Sequence, residues 1–222
     1  MASIAPERLA QDGGARRSAL LTGAGELLVT AGVLVLLFVA WQVWWTDLGA
    51  LRRAEAITDR TRSAWAAAGT ARPGTSGSEG VVLAVLHVPR FGRDWQRPVL
   101  EGTAPRELDQ GVGHYRGTAL PGQVGNVAIA GHRTTYGRPF RNIDRLVIGD
   151  AIVVETATGW YTYRVTGHRV VAPRESEVVA GNPDDPAAAP VRAMLTLTSC
   201  HPVYSAERRW VVHAVLDTIR VR

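Results

Sequence analysis

The sequence predicts a mainly β domain preceded by one N-terminal transmembrane helix, and three observations lead to this prediction. Residues 26–45, ELLVTAGVLVLLFVAWQVWW, are almost uninterruptedly apolar. Residues 81–222 contain many short segments rich in β-branched and aromatic residues, most of them separated by Gly, Pro, Asn or Asp. No long segment there has a clean helical period. Many short strands in a domain of this size predict a closed barrel or a sandwich.

The apolar run is long enough to cross a membrane. From Leu27 to Trp45 it contains no charged residue, and about 20 such residues span a bilayer core. Three tryptophans gather at its far end, where an aromatic belt meets the membrane–water interface. A signal-peptide core is shorter, at about 7–15 residues, and a small-residue cleavage site follows it. The sequence VWWTDLGA is a poor cleavage site, so we expect an uncleaved anchor over 26–45.

The rest of the chain divides around this anchor. Residues 1–25 are expected to form a short cytoplasmic tail with the C-terminal domain outside the cell, although arginines on both sides leave the positive-inside rule undecided. Residues 46–80 form a juxtamembrane segment, of which 46–69 favours helix and 70–80, TARPGTSGSEG, is typical of a flexible linker. Residues 81–222 are predicted to be the folded extracellular domain.

Six segments of this domain carry the strand pattern, and one other segment favours a short helix. The predicted strands are 81–88, 126–132, 150–156, 160–171, 192–200 and 209–221. The helix is expected within TAPRELDQGVGH, residues 103–114. The sequence has no evident internal repeat.

Composition excludes several classes of function. The formal net charge is +5 and every basic side chain is arginine, but the arginines are scattered, so we expect no nucleic-acid partner. One cysteine excludes an internal disulfide and a Cys-rich zinc site. Asp184 and Asp185 are adjacent, yet calcium needs 6–8 oxygen ligands, so we expect a solvated loop. No metal and no cofactor are predicted.

The single cysteine, Cys200, has three interpretations: a buried small hydrophobe, an intermolecular bridge or a reactive nucleophile. A catalytic cysteine needs a partner that takes its proton and a donor for the oxyanion of acyl transfer. His201 is adjacent, but neighbours in a strand face opposite sides. His132 follows Gly131 at the end of an apolar strand that opens into a polar loop. Working side chains are common at such strand ends, so His132 is the candidate partner.

Several segments together resemble the sortases, which are membrane-anchored cysteine transpeptidases of Gram-positive bacteria. LPGQVGNVAIAGHRTTYGRPF (120–140) and TLTSCHP (196–202) resemble the segments of the catalytic histidine and cysteine. LEGTAPRELDQGVGHYRGTALPG (100–122) resembles the stretch before that histidine, and AERRWVVHAVL (206–216) resembles the last strand. The anchor region, 25–47, is similar to that of class E sortases of high-GC bacteria. The combination of segments is specific, whereas any one alone is weak.

The resemblance implies an eight-stranded sortase-type β-barrel with short helices and no cofactor. It implies that Cys200 attacks the Thr–Gly bond of a C-terminal sorting signal, with LAxTG preferred over LPxTG, and forms a thioacyl enzyme. His132 would act as acid and base. An amine of a lipid-linked peptidoglycan precursor would then accept the acyl group. The implied partners are therefore secreted proteins with a sorting signal, that precursor and the membrane.

The family also uses an arginine, and two candidates stand side by side. Strand alternation puts Arg208 on a fully apolar face and Arg209 on a mixed one. Arg209 also stands where the family's arginine precedes its apolar strand, so we expect it to stabilise the oxyanion or hold substrate. Ser199 replaces the usual threonine of Thr-Leu-x-Thr-Cys and keeps its hydroxyl. Tyr115 resembles a tyrosine with which class E sortases contact the signal, so Ser199 and Tyr115 are expected substrate contacts.

Two other functions remain compatible with the pattern. One is a non-catalytic, surface-anchored β-barrel that binds peptides. The other is a different cysteine enzyme of the cell wall, such as an L,D-transpeptidase. Those enzymes carry a His-Gly-Cys neighbourhood close in sequence, whereas His132 and Cys200 lie far apart.

Overall fold

The computed structural model describes residues 8–68 and 80–222. The predicted linker, 70–80, therefore lies almost entirely outside the described residues. A long helix, α1, comprises Arg8–Ala68. The chain divides into two compact units between Trp45 and Thr46.

The first unit contains a helical segment that fits a single-pass membrane anchor. Leu21–Trp41 has a mean hydropathy of 2.1 in its most apolar window, and none of that window is buried. The segment begins about one helical turn before the predicted anchor. Glu26 is the one charged residue of this segment. A largely apolar helix that is uncovered by protein is suited to lipid, because its backbone groups are already paired within the helix.

In the second unit, the remainder of α1, residues 46–68, packs against the β domain. Trp65 forms a small apolar cluster with Val85 and Ala157. The Arg62 guanidinium lies 2.8 Å from the Glu155 carboxylate. Residues 46–68 are helical, as their composition predicts, and they are tied to the domain by both apolar and ionic contacts.

The β domain is a closed eight-stranded barrel, so the predicted architecture is confirmed. Its strand order is β1-β2-β3-β4-β7-β8-β6-β5, which leaves no edge strand exposed. The pairs β2–β3 and β4–β7 are parallel, and the other six are antiparallel. The strands are β1 (Val82–His87), β2 (Gln96–Glu101), β3 (Val112–His114), β4 (Gly125–Ala130), β5 (Ala151–Thr156), β6 (Gly159–Val171), β7 (Ala193–His201) and β8 (Arg208–Val221).

Two strands, β2 and β3, are absent from the sequence prediction for physical reasons. Pro98 lies within β2, and proline is disfavoured inside a sheet because it has no N–H for the ladder. β3 has only three residues, and it lies in the segment predicted to hold a helix. The short helix does occur just before it, as α2 (Pro105–Leu108). A side chain at Gly113 of β3 would lie 2.2 Å from the Gly102 carbonyl oxygen, so this pairing requires glycine.

Strand alternation separates the barrel interior from the surface that carries the candidate site. On β7, Leu195 and Leu197 are buried in the main core, and burial of each leucine contributes about 1.5–3 kcal/mol. Thr196, Thr198 and Cys200 therefore point to the other face. The parallel neighbour β4 follows the same alternation: Val127 and Ile129 are in the main core, and Asn126 is on the same face as Thr196.

Candidate active site

The pairing of β4 with β7 ends two residues before His132 and Cys200. The two strands are in parallel register with Ala130 opposite Thr198. The amide of Gly131 continues the ladder by donating 3.1 Å to the Thr198 carbonyl. β4 ends at Ala130, and His132 and Cys200 are each two residues beyond this last registered pair. Neighbouring strands lie about 4.8 Å apart, so continuing the register past the strand end predicts that the two residues are close together.

The pairing of β7 with β8 places Arg209 on the other side of Cys200. The two residues are directly opposite in the antiparallel register, whereas Arg208 is opposite His201. Directly opposed residues point to the same face, with Cβ atoms about 4.5–5.5 Å apart. Register therefore favours Arg209 over Arg208 on the face of the thiol, in agreement with the alternation argument from sequence.

The Arg209 guanidinium is held by backbone carbonyls rather than by an acidic partner. Its Nη1 donates to the carbonyl of Ala206 at 2.9 Å and to that of Arg208 at 3.0 Å. Among the ion pairs of the described residues, none involves Arg209. The charge is thus oriented but not neutralised, which is the state an oxyanion-binding group requires.

The His132 ring is fixed by neighbours that the sequence did not identify. It stacks on Tyr136 with ring centroids 5.2 Å apart. Its Nε2 is shielded from solvent and lies 3.4 Å from the Asp109 carboxylate, close enough for an ion pair when the ring is protonated, yet not aligned as a hydrogen bond. Tyr136 has a φ of 51°, a conformation that is uncommon for a non-glycine residue and costs about 1–3 kcal/mol. The loop is thus held in a costly conformation at the histidine.

Gly131 is required where β4 opens into this loop. A Cβ there would lie 2.6 Å from the ring of Phe140. The amide of Phe140 also donates 2.9 Å to the His132 carbonyl. The loop therefore turns back tightly over the strand end, and only a glycine before His132 allows that approach.

Tyr115 lies on the same outer face as Cys200. Its hydroxyl is 3.0 Å from the Thr198 hydroxyl. Thr198 precedes Cys200 by two residues in β7, so the two side chains share a face. Tyr115 is half-buried. Contact with substrate remains a prediction for this residue.

Ser199 makes its contact on the opposite face of β7. It is buried, and its hydroxyl donates 2.8 Å to the Gly131 carbonyl. In this structure the hydroxyl therefore joins β7 to the residue before His132. Contact with substrate remains a prediction for Ser199 as well.

His201 faces away from the thiol, as strand alternation predicts. Its ring is tilted against Trp210 with centroids 5.3 Å apart. Its Nδ1 lies 3.0 Å from a guanidinium nitrogen of Arg133. Arg133 is a site residue that the sequence did not indicate, because a charged residue in a polar loop is ordinarily exposed.

Another histidine, His213 of β8, is buried on the face of the sheet that carries Thr196 and Cys200. Its Nδ1 lies 3.0 Å from the hydroxyl of Thr196, which in turn donates 2.9 Å to the Asn126 side chain. Burial, assisted by the nearby positive charge of Arg169, lowers the pKa of His213 to about 4. At neutral pH the ring is uncharged, so it is a packed histidine of β8.

The acidic loop before β7 contains an ion pair. Asp184 lies 3.0 Å from the guanidinium of Arg192, and both side chains are more than half exposed. Among the described residues there is no group of three His, Cys, Asp or Glu side chains suited to a metal ion.

Comparison with known proteins shows which family the chain is similar to. The chain matches the sortase domain over residues 86–217. It is 37% identical to sortase SrtE1 of Streptomyces coelicolor over 196 residues, which are 85% of this chain and 54% of that protein. It is 36% identical to sortase SrtE2 of the same organism over 205 residues, 85% of this chain and 78% of that protein. The chain thus spans about half the length of SrtE1 and over three quarters of SrtE2.

Solved structures agree with the sequence comparison. The crystal structure of sortase E1 from Streptomyces coelicolor with a tripeptide in the active site superposes with a TM-score of 0.59 at 34% identity. The match covers 64% of this chain and 91% of that chain. Because the domain match covers more than half of the chain and includes the segments of Cys200, His132 and Arg209, the chain belongs to the sortase family.

Proposed function

We propose that the protein is a class E-like, membrane-anchored sortase whose catalytic residues are Cys200, His132 and Arg209. The observation that carries the proposal is the register of three adjacent strands: the last pair of β4 and β7, Ala130 opposite Thr198, lies two residues before His132 and Cys200, and Arg209 of β8 is directly opposite Cys200. A thiol between an imidazole and an unneutralised guanidinium has the groups that acyl transfer needs: a nucleophile, an acid–base and an anion-stabilising donor.

The proposed reaction has two steps. In the first, the Cys200 thiol loses its proton to His132, and its sulfur bonds to the threonine carbonyl carbon of a sorting signal. The Thr–Gly bond breaks as His132 returns the proton to the leaving amine. In the second, an acceptor amine attacks the thioester, gives a proton to His132 and displaces the Cys200 sulfur, to which His132 returns that proton. In both steps Arg209 donates to the developing oxyanion or to the substrate backbone.

The substrate proposal rests on resemblance and on the surface near the thiol. Sortase E1 of Streptomyces coelicolor holds a tripeptide in its active site, and the outer face beside Cys200 carries Tyr115 and Thr198 as hydrogen-bonding groups. We propose secreted proteins with an LAxTG- or LPxTG-like signal as substrates and a lipid-linked peptidoglycan precursor as acceptor. The anchor proposal is a cytoplasmic N-terminus with the barrel, 81–222, outside the cell.

Peptide cleavage by the full chain in detergent tests this proposal. Fluorogenic peptides with LAxTG, LPxTG and scrambled sequences are compared for wild type and Cys200→Ala. Wild type is expected to cleave LAxTG fastest, between Thr and Gly, and Cys200→Ala to lose at least about a thousandfold in rate. Equal cleavage by Cys200→Ala would eliminate Cys200 as the nucleophile. Binding without cleavage by wild type would instead indicate a non-catalytic peptide-binding barrel.

A further inference from the structure

A buried guanidinium lies where the chain segments of Cys200 and His132 meet. Arg133 is 2% exposed and is the largest fully buried side chain in the described ranges. Charged side chains are almost never fully buried unless they are paired. Arg133 is not one of the three residues proposed for the chemistry, so its contacts are the guide to its role.

The guanidinium joins two separate parts of the fold. Its Nη1 donates 3.2 Å to the carbonyl oxygen of Cys200 and lies 3.0 Å from Nδ1 of His201. Its Nη2 lies 2.8 Å from the carboxylate of Asp144. Asp144 belongs to a single 3-10 turn, Ile143–Arg145, that follows the loop of His132. Arg133 therefore bonds the end of β7 on one side and this turn on the other.

The contact with His201 also fixes which ring nitrogen carries its proton. A guanidinium has only donors, so Nδ1 of His201 must be an acceptor without a proton. The neutral ring then carries its proton on Nε2. Arg133 thus holds both the backbone carbonyl of Cys200 and the side chain that follows it.

The covalent position of Arg133 gives these contacts a consequence for catalysis. It is the residue directly after His132, so fastening its side chain to β7 also fastens the backbone that carries the imidazole. The same backbone is held from the other direction by the Phe140 amide, which donates to the His132 carbonyl at 2.9 Å. Reaction rates are sensitive to the separation of reacting groups, and a displacement of about 1 Å can cost about a hundredfold.

We propose that Arg133 is a positioning residue that sets the separation of the Cys200 thiol and the His132 imidazole. The inference rests on the proposed thiol–imidazole chemistry. Arg133 does not touch substrate in this account; it acts through the Cys200 carbonyl, His201 and its own backbone. Its removal should therefore lower the rate of the chemical step more than it weakens substrate binding.

The test measures kcat and KM for LAxTG peptide cleavage by the full chain in detergent. Arg133→Met, which keeps an unbranched apolar stem, is expected to lower kcat by roughly 10- to 100-fold with KM changed less than about threefold. Arg133→Lys restores one donor to the Cys200 carbonyl but not the fork that reaches Asp144. It is expected to recover part of the loss, with kcat between those of wild type and Arg133→Met.

Two controls separate positioning from loss of stability. Asp144→Asn keeps a side-chain oxygen that can accept from Nη2 and leaves both contacts of Arg133 with β7, so kcat should fall less than about threefold. Ile152→Val removes a core methylene from β5, which is three strands away from β7 in the barrel order. The Ile152→Val variant shows what a loss of stability far from the site does to the rate. Its kcat should remain at the wild-type value.

Each result decides the question. A wild-type kcat in Arg133→Met would overturn the inference, as would an equal loss of kcat in Asp144→Asn or a change confined to KM. If Arg133→Met does not fold, Arg133→Lys decides alone: a wild-type kcat overturns the inference, and a loss of about 3- to 30-fold supports it. If wild type itself does not cleave, the proposed function fails, and that outcome is distinct from a failure of the Arg133 inference in an active enzyme.

Discussion

The hydroxyl of Ser199 donates a 2.8 Å hydrogen bond to the carbonyl of Gly131, and so connects the strand of the thiol to the residue before His132. Both residues are buried on the interior side of their strands. The contact is side chain to backbone, and a serine hydroxyl suffices for it without the methyl group of threonine. In this chain the position next to Cys200 thus contributes to the alignment of two strand ends.

Ser199→Ala should reduce stability. The change leaves a buried carbonyl without this donor, which we expect to lower the free energy of unfolding by about 1–3 kcal/mol. Urea denaturation of the chain in detergent, followed by tryptophan fluorescence, measures the difference. Ser176→Ala is the matched control because Ser176 is exposed, and its effect should be within about 0.5 kcal/mol. Equal stability of wild type and Ser199→Ala would contradict the importance of this contact.

Arg209→Ala should remove transition-state stabilisation. Because Arg209 is directly opposite Cys200, its loss should lower kcat/KM for peptide cleavage by roughly 100- to 1000-fold, the range seen when an oxyanion donor is removed. Arg208→Ala is the control, since Arg208 is opposite His201 and exposed. It should change kcat/KM by less than about threefold. A larger loss in Arg208→Ala than in Arg209→Ala would reverse the assignment.

Asp47 connects helix α1 to the loop that follows His132. Its carboxylate accepts a 3.1 Å hydrogen bond from the Gly137 amide and lies 2.6 Å from the Arg138 guanidinium. We expect Asp47→Asn to lower both the Tm and kcat, because the neutral amide cannot form the ion pair with Arg138. Asp59→Asn makes the same change at an exposed position of α1 and should leave both unchanged.

Truncation tests all the contacts of residues 46–68 with the barrel and the loop of His132 together. A fragment that starts at residue 46 keeps Asp47 and Trp65, whereas one that starts at residue 80 loses both. The shorter fragment should have the lower Tm by differential scanning fluorimetry and the lower kcat. Identical behaviour of the two fragments would show that residues 46–68 are dispensable for the barrel and its loop.

Stability should fall in mild acid because of His213. Burial lowers the pKa of this ring from 6.5 to about 4, so the unfolded chain binds a proton before the folded chain does. The stabilisation is complete above pH 6.5 and is lost between about pH 6.5 and 4, to a total of about 3 kcal/mol. Denaturation at several pH values measures it. His213→Asn should flatten this part of the profile, while His168→Asn, at an exposed ring, should not.

Local signals in the sequence predicted most of the strands, and the family resemblance added the eight-stranded barrel, which is confirmed. The roles of Cys200, His132 and Arg209 stay predictions. Strand alternation and composition identify the long strands, and the strand end at His132 is visible from its neighbours. The choice of Arg209 over Arg208 follows from counting along one strand, and the β7–β8 register agrees with it. Short or proline-containing strands such as β2 and β3 lack such a signal.

The residues that hold the site could not be predicted because their roles depend on contacts between distant segments. Arg133 in a polar loop gives no sign that it will be buried against the Cys200 carbonyl. Asp47 lies 90 positions before Gly137 in the chain. Tyr136 stacks on His132 only because the loop adopts an uncommon backbone conformation. The first two contacts join segments that are distant in sequence, and the third depends on the conformation of the loop.

Intact-mass spectrometry of the full chain during turnover tests the central claim most directly. With an LAxTG peptide and no acceptor amine, the account predicts one adduct whose added mass is the peptide acyl group ending at threonine. Peptide mapping should place it on Cys200, and an added amine should release it. Cleavage without an adduct, an adduct on another residue, or a peptidoglycan stem peptide on Cys200 in place of the signal would contradict the account.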